Sequence, residues 1–215
     1  VTGLAGGLVS STAVTLGFAR QSRERAHEPP AALAVGLLLA WAIMFARVGV
    51  AVALVHRPLL ATLLVPLCAM GATVLAVALF FVWRAPRASG AGRTPEVHLK
   101  NPFRLLASIR FALLFAVVLL VVELVRRNTS ASGLYPLAAL AGTTDVDAIT
   151  LSMAELARSG GPADVAAGAI VTAALSNTLV KCGLVVALGS PALRGRVAVA
   201  TALVLASGAA AIALA

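Results

Sequence analysis

Four charged residues lie within stretches that are otherwise apolar: Arg47, Asp145, Asp147 and Lys181. A charge at bilayer depth costs several kcal/mol and persists where it pairs or lines a wet cavity, so these residues are the first candidates for chemistry. Asp145 and Asp147 are two positions apart and would point about 200° from one another on a regular helix. A local break would let both face one place. Gly142 supplies such a break, and Thr144 followed three residues later by Asp147 has capping-box spacing for a helix starting there, with Asp in place of Glu. Asn177 and Lys181 are four apart on one helix, so they could face that break together. Two carboxylates with Thr and Asn oxygens (Thr144, Thr150, Asn177) suit a hard cation, with Asp145 and Asp147 as metal ligands. Arg47, Lys181 and half-helix N-termini suit an anion instead. An Asp paired with Lys181 could also exchange a proton for a cation. The bland alternative is an Asp that only caps a helix and pairs with Lys181.

The stretch that would position these groups, GTTDVDAITLSMAELAR (Gly142 to Arg158), has a relative near the N-terminus. Placing Gly7 on Gly142, an offset of 135 residues, superposes Ala13 on Ala148, Thr15 on Thr150 and Leu16 on Leu151. Ser10, Ser11 and Thr12 then lie over Asp145, Val146 and Asp147. FARVGVAVAL (Phe45 to Leu54) reads against LVKCGLVVAL (Leu179 to Leu188), so Arg47/Gly49 recurs as Lys181/Gly183. Two helices interrupted at corresponding points of two repeats point to a transporter's midplane site. The candidate ion-binding set is Ser10, Ser11, Thr12, Thr15, Arg47, Thr144, Asp145, Asp147, Thr150, Ser152, Asn177 and Lys181. Hydroxyls in membrane helices also bond their own backbone, and small residues allow close packing without any site.

With 60% hydrophobic and 12% charged residues and a mean hydropathy of +1.00, the chain is a polytopic membrane protein of all-α class. Its net charge of +9 sits in arginines between apolar runs, which orients membrane segments and argues against nucleic acid as a partner. Cys68 and Cys182 lie in apolar runs, so neither a disulfide nor a metal framework is expected. His27, His56 and His98 fall outside the apolar runs and Ser10 and Ser11 lack a base, so an enzyme is not expected.

About seven transmembrane segments are expected. Residues 1–84 form a first repeat, 85–102 a cytoplasmic linker rich in Arg, Pro, Gly and Ser, and 103–215 a second repeat. The first and fifth segments are discontinuous, the fifth running from Leu134 to Ala157. The chain begins in mid-motif, so upstream sequence and one N-terminal helix are expected to precede it. Four crossings between segments one and five make the expected repeat parallel, about an axis along the membrane normal. The loops after segments one, three and five hold nine basic residues, including Arg20, Arg23, Arg84 and Arg158. The opposite loops hold five, including Arg57, Arg194 and Arg196. That imbalance predicts a multi-pass protein of the bacterial inner membrane with a cytoplasmic C-terminus. Small residues in the last segment suit a homodimer.

GGLVSSTAVTLGFAR, Asn101-Pro-Phe103, GTTDVDAITLSMAELAR and SNTLVKCG (Ser176 to Gly183) together resemble an uncharacterised membrane domain usually found C-terminal to an MgtC/SapB-type domain. The resemblance implies a loose link to magnesium homeostasis and an upstream MgtC-like domain as partner. Its blocks contain Ser10, Ser11, Thr12, Asn101, Asp145, Asp147, Thr150, Ser152, Asn177 and Lys181. The expected function is an ion transporter or channel with a polar midplane site, a cation being marginally preferred. The alternatives are an anion pathway lined by Arg47 and Lys181, or a regulatory or scaffold membrane protein that transports nothing.

Overall fold

The computed structural model describes residues 2–24, 29–84 and 133–214, with residues 113, 116–117, 120–122 and 124 between them. Asn101 and nearly all of the expected fourth segment and linker lie outside the described residues. Seven helices with described bounds follow in order: α1 (Thr2–Glu24), α2 (Pro30–Val55), α3 (Arg57–Arg84), α4 (Leu134–Gly142), α5 (Val146–Arg158), α6 (Ala163–Leu188) and α7 (Pro191–Leu214), and the described residues between 113 and 124 are helical as well. Four of them, α2, α3, α6 and α7, are long and apolar enough to cross a membrane. Large apolar side chains are left exposed on them, such as Leu54, Leu79 and Trp83, where a water-soluble bundle would carry polar residues. The protein is therefore a helical membrane protein. The chain divides into two compact units, one made of Val1–Ala46, Ala69–Lys100 and Thr178–Ser207, the other of Arg47–Cys68, Asn101–Asn177 and Gly208–Ala215.

In the first unit, contacts fix the relative directions of α1, α2 and α6. Trp41 of α2 bonds Thr15 of α1, and a Cβ added at Gly36 would meet the Phe18 ring. Position rises along α1 as it falls along α2, so the two are antiparallel. Ser11 meets Lys181 and Ser22 accepts from the Ser190 N–H, so α1 is parallel to α6. Hence α2 and α6 run in opposite directions. The expected parallel repeat does not hold for this pair. The Ser22–Ser190 bond also brings the end of α1 beside the start of α7, so Arg20 and Arg23 share an end of this unit with Arg194 and Arg196. The loop grouping behind the expected cytoplasmic C-terminus placed them on opposite faces, and loses its basis.

In the second unit, α4 runs parallel to the first part of α6. A Cβ on Gly168 would meet Tyr135, Ser176 Oγ donates to the Ala139 carbonyl, and Asn177 Nδ2 donates to the Gly142 carbonyl. Gly142 thus lies level with Ala173 to Asn177, about 18 Å along α6 from its start at 1.5 Å per residue. Thirteen-residue α5 is about 20 Å long. If it continued in the direction of α4, its end would stand nearly 40 Å from Ala163, and the loop Ser159 to Pro162 reaches under about 20 Å. So α5 turns back. The expected single fifth crossing is instead a short helical hairpin, because apolar length alone says nothing about whether a broken segment goes on or returns.

The two ends of α5 are built from local chemistry. Asp145 is extended (φ −153°, ψ 125°) and its carboxylate accepts from the Asp147 N–H, satisfying one of the helix's orphan donors. The expected Thr144 cap is not formed; its hydroxyl donates back to the Ala141 carbonyl. At the other end Gly160 takes φ +88°, with Gly161 N–H bonded to Leu156 and Gly160 N–H to Ala157, a Schellman ending. Asp145→Ala should cost about 1 kcal/mol of stability, read as a lower midpoint of thermal unfolding in detergent, while Asp145→Asn should lose only a few tenths.

Candidate functional site

Each unit holds one polar cluster where a basic side chain meets a helix break. In the second unit, Arg47 of α2 forms an ion pair with Asp147 in the first turn of α5. The side chains retain 33% and 21% of their exposure, so the pair is neither dry nor fully solvated. Asp145, outside the helix as its cap, and Asp147, inside it, share this break, as the interruption of the periodicity predicts. Asn177, buried, holds the Gly142 carbonyl at the tip of α4. Thr143 and Thr144 are exposed at the tip, each hydroxyl donating to a carbonyl three residues back.

The first unit has its break at Ser10, whose backbone is extended within α1 (φ −164°, ψ 110°) and whose hydroxyl accepts from the Ala13 N–H. Lys181, only 1% exposed, donates to Ser11 Oγ and contacts Met44 Sδ, each at 2.7 Å. Thr15 Oγ1 donates to the Ser11 carbonyl and accepts from Trp41 Nε1 at 3.2 Å. Thr12 is half-buried in the turn after the break.

The twelve sequence candidates are distributed over both units. Arg47, Asp145, Asp147, Thr144 and Asn177 belong to the second unit's break, and Ser10, Ser11, Thr12, Thr15 and Lys181 to the first unit's. Thr150 and Ser152 are buried and donate to the carbonyls of Val146 and Ala148, four residues back, which makes them part of the packing of α5. Asp147 pairs with Arg47, and the contacts of Lys181 within its own unit include a hydroxyl and a thioether. Met44 and Trp41 were not foreseen, since an apolar run gives no signal for a thioether or an indole facing a polar neighbour. Among the described residues no three His, Cys, Asp or Glu side chains cluster as metal ligands do. A cation at Asp147 would have to displace or share the Arg47 guanidinium.

A family model described as a domain of unknown function (DUF4010) matches residues 1–189. The chain belongs to this family. An uncharacterized protein of Aquifex aeolicus (strain VF5) is 31% identical over 195 residues, covering 90% of this chain and 84% of that one. No solved structure matches the chain. Membership in the DUF4010 family brings no activity with it, so the function has to be argued from the two breaks.

Proposed function

We propose that the protein is a non-enzymatic membrane transporter or channel for a small ion, with a cation preferred, and that the ion interacts with Asp147 at the α4–α5 break. The observation that carries this reading is the Arg47–Asp147 ion pair. Arg47 sits about 12 Å from the end of a membrane-length helix, and charges at such a depth are retained mainly along ion paths or in wet cavities. A carboxylate held by an arginine and a half-helix N-terminus can release its partner when a cation or proton arrives, which supplies a two-state element for transport. The anion reading is supported by Arg47 and by Lys181, each directed at a break.

The two halves read as an inverted-topology repeat. Ser10 and Asp145, 135 residues apart, share an extended backbone and a capping side chain. Thr15 and Thr150, at the same offset, each bond the carbonyl four residues back. The opposite directions of α2 and α6 support inversion over a parallel arrangement. Basic residues favour the cytoplasmic side, so the end carrying Arg20, Arg23, Arg194 and Arg196 is the cytoplasmic one on this reading. Helix α7 starts there and takes its C-terminal residues to the far face.

Purified protein in liposomes tests the function by ion flux. Uptake of a cation such as magnesium that falls at least tenfold in Asp147→Asn, about 1.4 kcal/mol at the rate-limiting barrier, supports the cation reading. Anion uptake lost in Arg47→Ala or Lys181→Ala supports the second. No flux for either class would leave a regulatory or scaffold role and reject transport.

A further inference from the structure

The tip of the α4–α5 hairpin is irregular backbone far from either end of α6. Thr143 and Thr144 form a turn and Asp145 is extended, and about 18 Å of α6 separates their level from the start of that helix. At membrane depth, non-helical backbone is tolerated only where protein buries it or where it lines water; facing lipid, its unsatisfied groups would cost several kcal/mol. Among the described residues, those of this tip are not buried. Thr143 and Thr144 are exposed, Asp145 is half-buried, and the charged ends of Arg47 and Asp147 keep part of their accessibility beside them. Leu140, one turn earlier on α4, is 70% exposed and wholly apolar, as a lipid-facing residue should be. The apolar exposed stripe of α4 thus gives way, one turn further on, to polar groups at the tip.

We propose that the polar tip of this hairpin is the floor of a water-filled vestibule, re-entrant from the membrane face that carries the loop Ser159 to Pro162. The vestibule ends at Thr143, Thr144 and Asp147, and a hydrated inorganic ion travels down it to the Arg47–Asp147 pair. The sidedness follows from the folding-back of α5, which returns the chain to the face where α6 begins. The ion's passage rests on the transport reading above, whereas the vestibule and its sidedness do not.

Thiol accessibility tests the proposal on the full chain with Cys68→Ala and Cys182→Ala as background. Thr144→Cys, Thr143→Cys, Leu140→Cys and Ser159→Cys are each treated with a membrane-impermeant, charged methanethiosulfonate, in intact cells and in inside-out vesicles. The thiolate attacks the sulfenyl sulfur of these reagents and expels methanesulfinate, and it forms in water and not in hydrocarbon, so wet positions should react at least about tenfold faster than Leu140→Cys. The expected result is modification of Thr144→Cys and Thr143→Cys from one side only, the side that modifies Ser159→Cys. Modification from the opposite side alone would mean that the segment crosses the membrane, and would overturn the proposal. So would labelling from both sides, or a tip that stays unmodified while Ser159→Cys reacts, as it would if a second copy of the chain covered it. Equal rates at Leu140→Cys would overturn the passage from lipid to water between that position and the tip. Liposomes that carry no ion flux but show one-sided labelling would reject transport and leave the vestibule standing.

Discussion

Gly142→Leu is expected to be the most damaging single substitution in the hairpin, lowering stability on the order of 3 kcal/mol. A Cβ at Gly142 would stand 2.7 Å from the Ala173 Cα and 2.9 Å from its carbonyl carbon. These are backbone atoms of α6, which cannot rotate out of the way as a side chain would, so α4 must move off α6. Overpacking costs about 1–3 kcal/mol, and displacing the Gly142 carbonyl from the buried Asn177 amide adds about 1–3 kcal/mol for the unpaired group. Gly142→Ala should show a smaller loss of the same kind. Gly71→Ala is the control, because no atom lies within 4 Å of its added Cβ, and alanine in a helix interior gains about 0.5–1 kcal/mol over glycine. Thermal unfolding in detergent should separate the two alanine variants in opposite directions. A Gly142→Leu protein as stable as the parent would show that α4 and α6 do not pack this closely.

Asp147→Ala, with Arg47 retained, is expected to cost about 2 kcal/mol, and Arg47→Ala a similar amount. Breaking a fully buried pair costs roughly 3–5 kcal/mol because the survivor is left charged and unpaired. The partial exposure of both side chains lets water take up part of that penalty. The double variant should be less destabilised than the sum of the singles, with a coupling of about 1–2 kcal/mol. Unfolding midpoints of the four proteins supply the cycle. Strict additivity would mean that the two groups do not interact.

Much of this hairpin is written locally. Gly142, the two threonines and two aspartates announce a break inside an apolar run, and the break falls at Asp145. The same residues misdirect on its detail, since Thr144 and Asp147 have capping-box spacing while Asp145, one residue further on, is the better acceptor for the Asp147 N–H. Direction is what the local pattern lacks. A run from Leu134 to Ala157 is long enough to span, and its hydrophobicity is the same whether it continues or returns. Only contacts such as Tyr135 with Gly168 and Asn177 with Gly142 settle that, and they depend on close approach of glycine backbones. The expected repeat symmetry and the expected side of the C-terminus both rest on counting the run as a crossing. The pairing of Asp147 with Arg47 is hidden for a related reason. Lys181 is the basic residue nearer in sequence, whereas Arg47, one hundred residues away, becomes a neighbour only through tertiary packing.

Helices α2 and α6 point opposite ways although Phe45 to Leu54 and Leu179 to Leu188 read alike. If the halves descend from one duplicated segment, that ancestor must have inserted into the bilayer either way up, and its two forms would have met head to tail as a pair of separate polypeptides. Fusion into one chain then freed each copy to specialise, and only the later one carries carboxylates at its break while the earlier kept hydroxyls.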